Sequence, residues 1–391
     1  MSRYATRMSA VSKSFIREIL KVTESPDTIS FAGGLPNPLS FPIDAIRAAS
    51  DKVLREDGRS ALQYSTTEGY APLREWICAR YVKRGVRVGA KNILVTTGSQ
   101  QGLDLIGKVF LDRGDGVVIE RPGYLGAIQA LSMFEPKFLP VTLESDGVNI
   151  QELQRALEQN PKLFYSVPNF QNPSGISYSE EKRRQTAEIM RQTNTIFIED
   201  DPYGELRFMG KQAPSMGTLL EENVLLLGSF SKIFSPSMRL GWVYAPDDIM
   251  DKLITAKQGA DLHTNFFSQR LLYEYLSAND IDAHIETIRA LYKRQRDCMV
   301  DAIKRYFPAD VKCTEPEGGM FLWATLPDGL SALKLFDAAI AKNVAFVPGD
   351  PFYVDAEQVS TLRLNYTNSD EAAIETGIKR LAEAIEEMRG R

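Results

Sequence analysis

Five polar clusters, each placed directly after a short apolar run, constrain the fold of this chain more than any other feature of its sequence. The clusters lie at residues 96–102, 121–124, 168–175, 199–203 and 229–241. The apolar runs have the length of strands and alternate with stretches of helical periodicity, which is typical of βαβ units around a parallel sheet. Because parallel strands end at one edge of a sheet, where ligands of open α/β sheets bind, the sequence predicts one shared site.

The last of these clusters places a lysine, Lys232, between hydroxyl groups and an arginine. Ser229, Ser231 and Arg239 can hold a dianionic phosphate by charge-assisted hydrogen bonds. The same positive charge disfavours a second cation, which lowers the pKa of the lysine, and its neutral amine can then form a Schiff base with an aldehyde. Phosphate and aldehyde together indicate pyridoxal phosphate, although a solvated Ser/Lys loop would show the same residues.

Length and composition indicate a globular chain of more than one domain. With 391 residues it exceeds what one hydrophobic core usually supports. Changes of pattern place an N-terminal arm at residues 1–40, a large cofactor-binding domain at residues 41–285 and a small C-terminal domain at residues 286–391. The net charge of −5, without a long Lys/Arg run, argues against a nucleic-acid partner. No apolar run reaches the ~18 residues of a membrane span, so we expect no membrane partner.

Cysteine and histidine usage indicates the compartment and the absence of a metal. The three cysteines are scattered and the chain has two histidines, so we expect a metal-free site in a reducing cytoplasm. The first 17 residues carry four basic side chains and no acid, which resembles a mitochondrial transit peptide. A folded N-terminal arm is the preferred interpretation.

In the second half of the chain the predicted pattern of strands and helices changes. From residue 261 to about residue 305 the sequence predicts one long helix that bridges two domains. Residues 320–326, 344–347 and 361–365 are predicted strands, and Asn368 or Ser369 is predicted to cap a final helix. This part is expected to form a small α+β domain.

Taken together, the motifs resemble those of fold-type I pyridoxal-phosphate aminotransferases, most closely the branch that contains kynurenine and 2-aminoadipate aminotransferases. The resemblance extends from ISFAGGLPNP at residues 29–38 to TLRL at residues 361–364 and covers six separated motifs in the family's order. It implies an α/β fold, with a mostly parallel central sheet in the large domain and a smaller α+β domain. It also implies transfer of an amino group from an L-amino acid to a 2-oxo acid by a ping-pong mechanism.

The resemblance implies roles for three catalytic residues. Lys232 would carry the Schiff base and move the proton between the substrate Cα and the cofactor. Asp200 would pair with the pyridine nitrogen and keep it protonated, with Asp201 as the competing acid. Tyr203 would donate to the phenolate oxygen of the cofactor, which Asn172 would share.

Further residues would hold the cofactor and the substrate. By the same resemblance, the cofactor contacts Ser99, Gln100, Tyr124, Asn172, Ser229, Ser231, Arg239 and, from the partner subunit of a homodimer, Tyr64. The substrate contacts Gly34, Asn172, Arg363 and Arg17. Arg363 would grip the α-carboxylate by a bidentate pair, and Arg17 would lie over the substrate side chain.

Two other functions share parts of this pattern. A pyridoxal-phosphate lyase or decarboxylase would also use Lys232, Asp200 and Tyr203, but the presence of Arg363 favours transamination. A non-catalytic sensor would be a transcriptional regulator with the same domain after a DNA-binding module, and the residues before Phe31 are too few to form that module. The expected donors are 2-aminoadipate, aromatic or branched-chain amino acids, with 2-oxoglutarate as an expected acceptor.

Overall fold

The computed structural model describes residues 3–9, 27–327, 329–356 and 358–390. The strands in this part of the chain are β1 (Ile29–Ser30), β2 (Ile93–Thr96), β3 (Gly116–Arg121), β4 (Lys137–Glu144), β5 (Gly147–Val148), β6 (Leu163–Ser166), β7 (Ile196–Asp200), β8 (Val224–Ser229), β9 (Gly241–Tyr244), β10 (Lys312–Cys313), β11 (Phe321–Thr325), β12 (Val344–Ala345), β13 (Val347–Pro348) and β14 (Thr361–Asn365). The α-helices are α1 (Ile43–Ala61), α2 (Ala71–Lys83), α3 (Ser99–Phe110), α4 (Leu125–Ser132), α5 (Ile150–Leu157), α6 (Glu180–Met190), α7 (Met216–Leu219), α8 (Asp247–Ala260), α9 (Phe266–Ala278), α10 (Ile281–Tyr306), α11 (Ala332–Ile340) and α12 (Glu371–Arg389).

A sheet of eight strands in the order β2-β9-β8-β7-β6-β3-β4-β5 forms the centre of the molecule. Strands β8, β7, β6, β3 and β4 pair in parallel, whereas β9 runs antiparallel to both of its neighbours and β5 antiparallel to β4. Every residue of β2, β6, β7 and β8 is buried, as expected for strands that are covered on both faces. The mostly parallel central sheet predicted from the sequence is confirmed.

Alternate side chains of the central strands enter two different hydrophobic cores. In β8, Leu225 and Leu227 belong to the core that contains Leu103 and Ile106 of α3. Leu226, between them, belongs to the core that contains Leu153 of α5 and others from α6. Because successive side chains of a strand point to opposite faces, helices cover the sheet on both sides, and its carboxyl edge is left for the polar clusters.

A second sheet, of four antiparallel strands in the order β10-β11-β14-β13, lies in the C-terminal part of the chain. Strand β1, near the N-terminus, pairs in parallel with β12, so residues 29–30 are joined to the C-terminal part. No helix among the described residues is long and apolar enough to span a bilayer. The division into an arm at 1–40 and domains at 41–285 and 286–391 stays a prediction.

Two predicted helix boundaries were wrong. The single helix expected from residue 261 to 305 is two helices, α9 and α10, because Oδ1 of Asp280 accepts the backbone N–H groups of Asp282 and Ala283 and starts a new helix there. The last helix is capped by Asp370, whose Oδ1 accepts the N–H of Ala373 at 2.8 Å, and not by Asn368 or Ser369.

Candidate active site

The carboxyl edge of the central sheet opens into a cavity of about 470 Å³. All five polar clusters contribute lining residues to it. Every predicted site residue that the structure describes, with the exception of Tyr64, lines this cavity. Its volume lies in the range of about 300 to 1,000 Å³ that is usual for small-molecule sites.

Lys232 reaches the cavity from the loop after β8. Its Nζ donates a hydrogen bond of 2.8 Å to the backbone oxygen of Gly34, which is supplied by the segment after β1. Burial lowers the pKa of Lys232 to about 8, and the positive charges of Arg363 and Arg239 act in the same direction. The amine is therefore partly neutral near pH 8.

Asp200 ends β7 with its side chain buried against the neighbouring strand. The hydroxyl of Tyr165, in β6, donates a hydrogen bond of 2.7 Å to Oδ2 of Asp200. Oδ1 is buried and has no hydrogen-bond partner in the part of the chain that the structure describes. Burial raises the pKa of Asp200 to about 7, because a charged carboxylate is poorly solvated there.

The competing acid, Asp201, has a different environment. Its Oδ1 accepts hydrogen bonds from the side-chain amide of Asn169 at 3.0 Å and from the N–H of Gly204 at 2.8 Å. Arg84 lies 3.6 Å from its Oδ2. Asp201 lines a separate pocket, so the structure places Asp200, and not its neighbour, at the cavity of Lys232.

Arg363, in β14, faces the cavity from the second sheet. Its Nη1 donates to Oδ1 of Asn172 at 2.8 Å and its Nη2 to the backbone oxygen of Ala32 at 2.7 Å. The guanidinium lies 4.4 Å and 5.3 Å from the ring centroids of Phe321 and Phe352. Burial lowers the pKa of Arg363 to about 10, which leaves it positively charged at neutral pH.

Asn172 also contacts Tyr203, so these side chains form one connected group with Arg363. The amide Nδ2 of Asn172 donates to the hydroxyl of Tyr203 at 3.4 Å. The ring of Tyr203 stands edge-on to Phe321 with centroids 5.8 Å apart. Burial raises the pKa of Tyr203 above its usual value, so its hydroxyl stays protonated and can donate.

Another part of the cavity lining is suited to an anion. Helix α3 begins at Ser99, and the free N–H groups and dipole of a helix N-terminus attract negative charge. Gly98 precedes it with a φ of +73°, and a Cβ there would lie 2.5 Å from Nη2 of Arg239, so glycine is required. Ser229 and Ser231 face the same region, and the N–H of Ser231 donates to Oγ of Ser229 at 3.1 Å.

Tyr124 and Gln100 complete this side of the cavity. Tyr124 lies just before α4, and burial raises its pKa to about 12. Nε2 of Gln100 donates to the backbone oxygen of Gly126 at 2.7 Å, which ties the start of α3 to the start of α4. A Cβ on Gly126 would lie 2.5 Å from Cζ of Tyr124, so the ring rests closely on this turn.

One predicted residue, Tyr64, does not line the cavity, and another falls outside the part of the chain that the structure describes. The side chain of Tyr64 is 78% exposed, and its ring contacts His263 edge-on at 5.8 Å. Arg17 lies outside the described residues.

The sequence prediction missed Tyr165, Phe321 and Phe352, which also line the cavity. Tyr165 and Phe321 lie in apolar runs that are typical of core strands. The one available signal was the hydroxyl of Tyr165, since a buried tyrosine usually needs a hydrogen-bond partner.

These residues fit pyridoxal phosphate. The helix N-terminus, two serines and Arg239 suit its phosphate. Oδ1 of Asp200, which has no partner among the described residues, can accept a hydrogen bond from the pyridine nitrogen, and the partly neutral amine of Lys232 can attack the aldehyde. The fold and the site together define a pyridoxal-phosphate enzyme of fold type I.

Comparison with known proteins gives the family. The model of the family described as aminotransferase class I and II matches residues 31–381, and the chain belongs to this family. The chain is 42% identical to the aromatic-amino-acid aminotransferase 1 of Thermococcus litoralis, over 98% of this chain and 94% of that protein. The family inferred from the sequence motifs is confirmed.

Solved structures agree with this assignment. The kynurenine aminotransferase of Pyrococcus horikoshii, solved in complex with PMP, has a TM-score of 0.94 and 42% identity, with 99% of this chain and 97% of that chain covered. The α-aminoadipate aminotransferase of Thermus thermophilus, in complex with N-(5'-phosphopyridoxyl)-L-leucine, has a TM-score of 0.93 and 40% identity, with 99% and 98% covered. The chain is a pyridoxal-phosphate-dependent aminotransferase.

Proposed function

We propose that this aminotransferase moves the amino group of an L-amino acid of the 2-aminoadipate, aromatic or branched-chain type to a 2-oxo acid such as 2-oxoglutarate. The reaction follows a ping-pong mechanism, in a homodimer with a shared active site. One observation carries the proposal: Lys232, Asp200 and Arg363 line one cavity, together with a helix N-terminus suited to a phosphate.

Arg363 binds the α-carboxylate that all amino acids and 2-oxo acids share. Two aromatic rings flank its guanidinium, and Asn172 and the oxygen of Ala32 hold its two Nη atoms, so its orientation is set before a substrate arrives. Its Nε is buried without a hydrogen-bond partner among the described residues. A prearranged guanidinium loses little conformational entropy on binding a carboxylate.

Lys232 moves the proton. When bound, pyridoxal phosphate supplies an aldehyde that captures the amino group and a protonated ring that withdraws electrons from the carbon losing its proton. Nζ of Lys232 would take the proton from the substrate Cα and deliver it to C4′ of the cofactor. A pKa of about 8 suits both steps, because the amine is present in both protonation states near neutral pH.

Asp200 keeps a proton on the pyridine nitrogen. Its Oδ1, which has no partner among the described residues, would accept the N–H of a bound cofactor, while Tyr165 occupies Oδ2. A buried carboxylate without a cationic partner has a raised pKa, and a positive charge beside it stabilises its ionised form. Tyr203 and Asn172 would hold the phenolate oxygen of the cofactor, and Tyr124 would lie against its ring.

Groups other than Arg363 contact the substrate side chain and determine which side chains are accepted. Phe321, Phe352 and Leu125 give the cavity an apolar wall that suits large side chains. Arg17 is proposed to pair with a distal carboxylate and to turn away for apolar substrates. The relatives named above, which are an aromatic-amino-acid, a kynurenine and an α-aminoadipate aminotransferase, support this range.

Two parts of the proposal concern the protein outside its site. The exposed ring of Tyr64 supports a homodimer in which this residue contacts the phosphate bound by the partner subunit. Location in the cytoplasm stays a prediction, based on the scattered cysteines.

The function is tested with a panel of donors. L-2-aminoadipate, L-phenylalanine and L-leucine are offered with 2-oxoglutarate or pyruvate, and the product amino and 2-oxo acids are measured. We expect transfer from all three donors, and no turnover by Lys232→Ala. Release of CO₂ or ammonia in place of amino transfer would indicate a lyase, and full activity of Lys232→Ala would overturn the mechanism.

Substrate breadth is tested with Arg17→Ala, with Arg7→Ala in the same arm as the control. We expect Arg17→Ala to raise KM for 2-aminoadipate and 2-oxoglutarate much more than for leucine or phenylalanine, because a buried carboxylate without a partner is costly. An equal change for all substrates, or no change, would mean that another group reads the side chain.

A further inference from the structure

A fully buried lysine, Lys257, lies behind the turn that leads into α3, and the proposed chemistry does not use it. Its side chain in α8 has no exposed surface. Its Nζ donates to Oδ1 and Oδ2 of Asp261 at 2.7 and 3.0 Å, to Oε1 of Gln101 at 2.8 Å and to Oγ1 of Thr264 at 3.0 Å. A buried ammonium is tolerated only when it is paired and hydrogen-bonded in this way, so Lys257 and these partners fix one another's positions.

Two of these partners reach the turn directly. Oε1 of Gln101 also accepts the backbone N–H of Thr97 at 2.8 Å. Oδ2 of Asp261 accepts the hydroxyl of Thr97 at 3.2 Å and Nε2 of Gln101 at 2.7 Å. Lys257 therefore holds Thr97, directly before the turn at Gly98 and Ser99, and Gln101, in the first turn of α3.

The third partner fixes the strand that enters the turn. Oγ1 of Thr264 donates to the backbone oxygen of Val95, in β2, at 3.2 Å. The end of β2, the turn and the first residues of α3 thus depend on one buried ammonium. The direction of the free N–H groups at the start of α3 follows from the position of this turn.

The same group of residues also supports Tyr64. Asp261 and Thr264 flank His263, whose ring contacts Tyr64 and whose Nε2 accepts the N–H of Ser65 at 3.3 Å. Tyr64 is proposed to reach the phosphate in the partner subunit. One buried lysine therefore supports residues proposed for the phosphate sites of both subunits.

We infer that Lys257 is a positioning residue for the cofactor phosphate, which acts through Gln101 and Asp261 on the turn at Gly98 and Ser99. This inference rests on the proposed placement of the phosphate at the start of α3 and at Arg239. It predicts that loss of the Lys257 ammonium weakens the binding of pyridoxal phosphate but not of pyridoxal, which has the aldehyde and the ring without the phosphate.

The test uses Lys257→Met, with Lys252→Met on the exposed face of the same helix as the matched control. The full-length protein, freed of cofactor, is titrated with pyridoxal phosphate and with pyridoxal, and binding is followed by visible absorbance. We expect Lys257→Met to weaken pyridoxal phosphate binding by about tenfold or more, since buried polar groups lose their partner. Pyridoxal binding should stay within about twofold, and Lys252→Met should match the wild type for both compounds.

Equal weakening for both compounds, or no change for either, would overturn the inference. The variant Arg239→Gln distinguishes an error about Lys257 from failure of the proposed phosphate site. If Arg239→Gln weakens the binding of pyridoxal phosphate more than that of pyridoxal while Lys257→Met does not, only the role of Lys257 is wrong. If neither variant changes the ratio of the two affinities, the phosphate does not lie at this turn. Should Lys257→Met not fold, Asp261→Asn carries the test, with a smaller loss of the same kind expected and the same outcomes against it.

Discussion

Tyr165 donates a hydrogen bond of 2.7 Å to Oδ2 of Asp200, and this contact gives the two oxygens of the carboxylate different roles. Oδ1 has no partner in the described chain. Burial raises the pKa of Tyr165 well above its usual value, so the hydroxyl remains a donor at all working pH values. In the proposed site, Tyr165 therefore fixes the plane of the carboxylate and leaves Oδ1 for the pyridine nitrogen.

The choice between the two adjacent acids gives the first prediction. Asp200→Asn should slow the half-reaction with an amino donor by about 100-fold or more, because a preorganised charge at the reacting system is lost. Asp201→Asn should change this rate by less than about threefold, since Asp201 contacts Asn169 and Arg84 away from the cavity. Single-turnover absorbance measurements compare the two variants. A loss at Asp201 that equals or exceeds the loss at Asp200 would show that the wrong acid was chosen.

The pKa of Lys232 gives a prediction about pH. Only the neutral amine attacks an aldehyde, and burial lowers the pKa to about 8. The rate at which cofactor-free protein captures pyridoxal phosphate should therefore rise with pH and level off above about 8, well below the usual range for lysine.

Arg363 contributes to that shift and so provides the test. Arg363→Gln removes a positive charge and should move the midpoint of the pH–rate profile upward by roughly half a pH unit or more. Arg305→Gln, a change of the same kind at an exposed arginine, is the control. A wild-type midpoint near 10, or a midpoint that Arg363→Gln leaves unchanged, contradicts the assigned environment of Lys232.

Much of the site could be predicted because strand direction can be read from sequence. Asp200 and Ser229 end β7 and β8, and Ser99 begins the helix after β2. Parallel strands bring such positions to one edge, so the five clusters meet at the cavity even though they are far apart in the chain.

The remaining residues depend on packing that the pattern does not contain. Phe321 and Phe352 reach the cavity from the C-terminal part of the chain, and their place depends on how the second sheet lies against the first. Tyr165 lies in a strand that is buried on both faces, so periodicity does not show which face meets Asp200. Helix ends were missed for a related reason: Asn368, Ser369 and Asp370 are all good capping residues, and local preference does not separate them.

Contacts between residues 121–123 and residues 352–355, called the clasp here, join the two parts of the chain and give the third prediction. Nε of Arg121 lies 3.0 Å from Oδ1 of Asp355, and its guanidinium lies 5.3 Å from the ring centroid of Tyr353. Next to it, the N–H of Gly123 donates to the oxygen of Phe352 at 2.8 Å. Asp355→Ala should raise KM for the amino donor by about two- to fivefold, because an exposed pair of this kind is worth about 0.2–1 kcal/mol.

The matched control for the clasp is Asp310→Ala. Asp310 pairs with Arg389 at 3.0 Å with similar exposure and lies away from the cavity. Steady-state kinetics and thermal unfolding are measured for both variants. We expect similar small changes in Tm and a change in KM for Asp355→Ala alone; equal KM values in the two variants would show that the clasp does not hold Phe352 for substrate binding.

The proposed homodimer, with a site shared between its subunits, gives the last prediction. Tyr64 is exposed in one chain and is proposed to complete the phosphate site of its partner, whereas Lys232 lines the cavity of its own chain. Tyr64→Ala and Lys232→Ala should each impair the enzyme alone. When the two variants are unfolded together and refolded, hybrid dimers should contain one site with both native residues. Activity of the mixture should then exceed the sum of the two variants refolded separately. A mixture with no more than that sum, or a fully active monomer in sedimentation, would place Tyr64 outside any shared site.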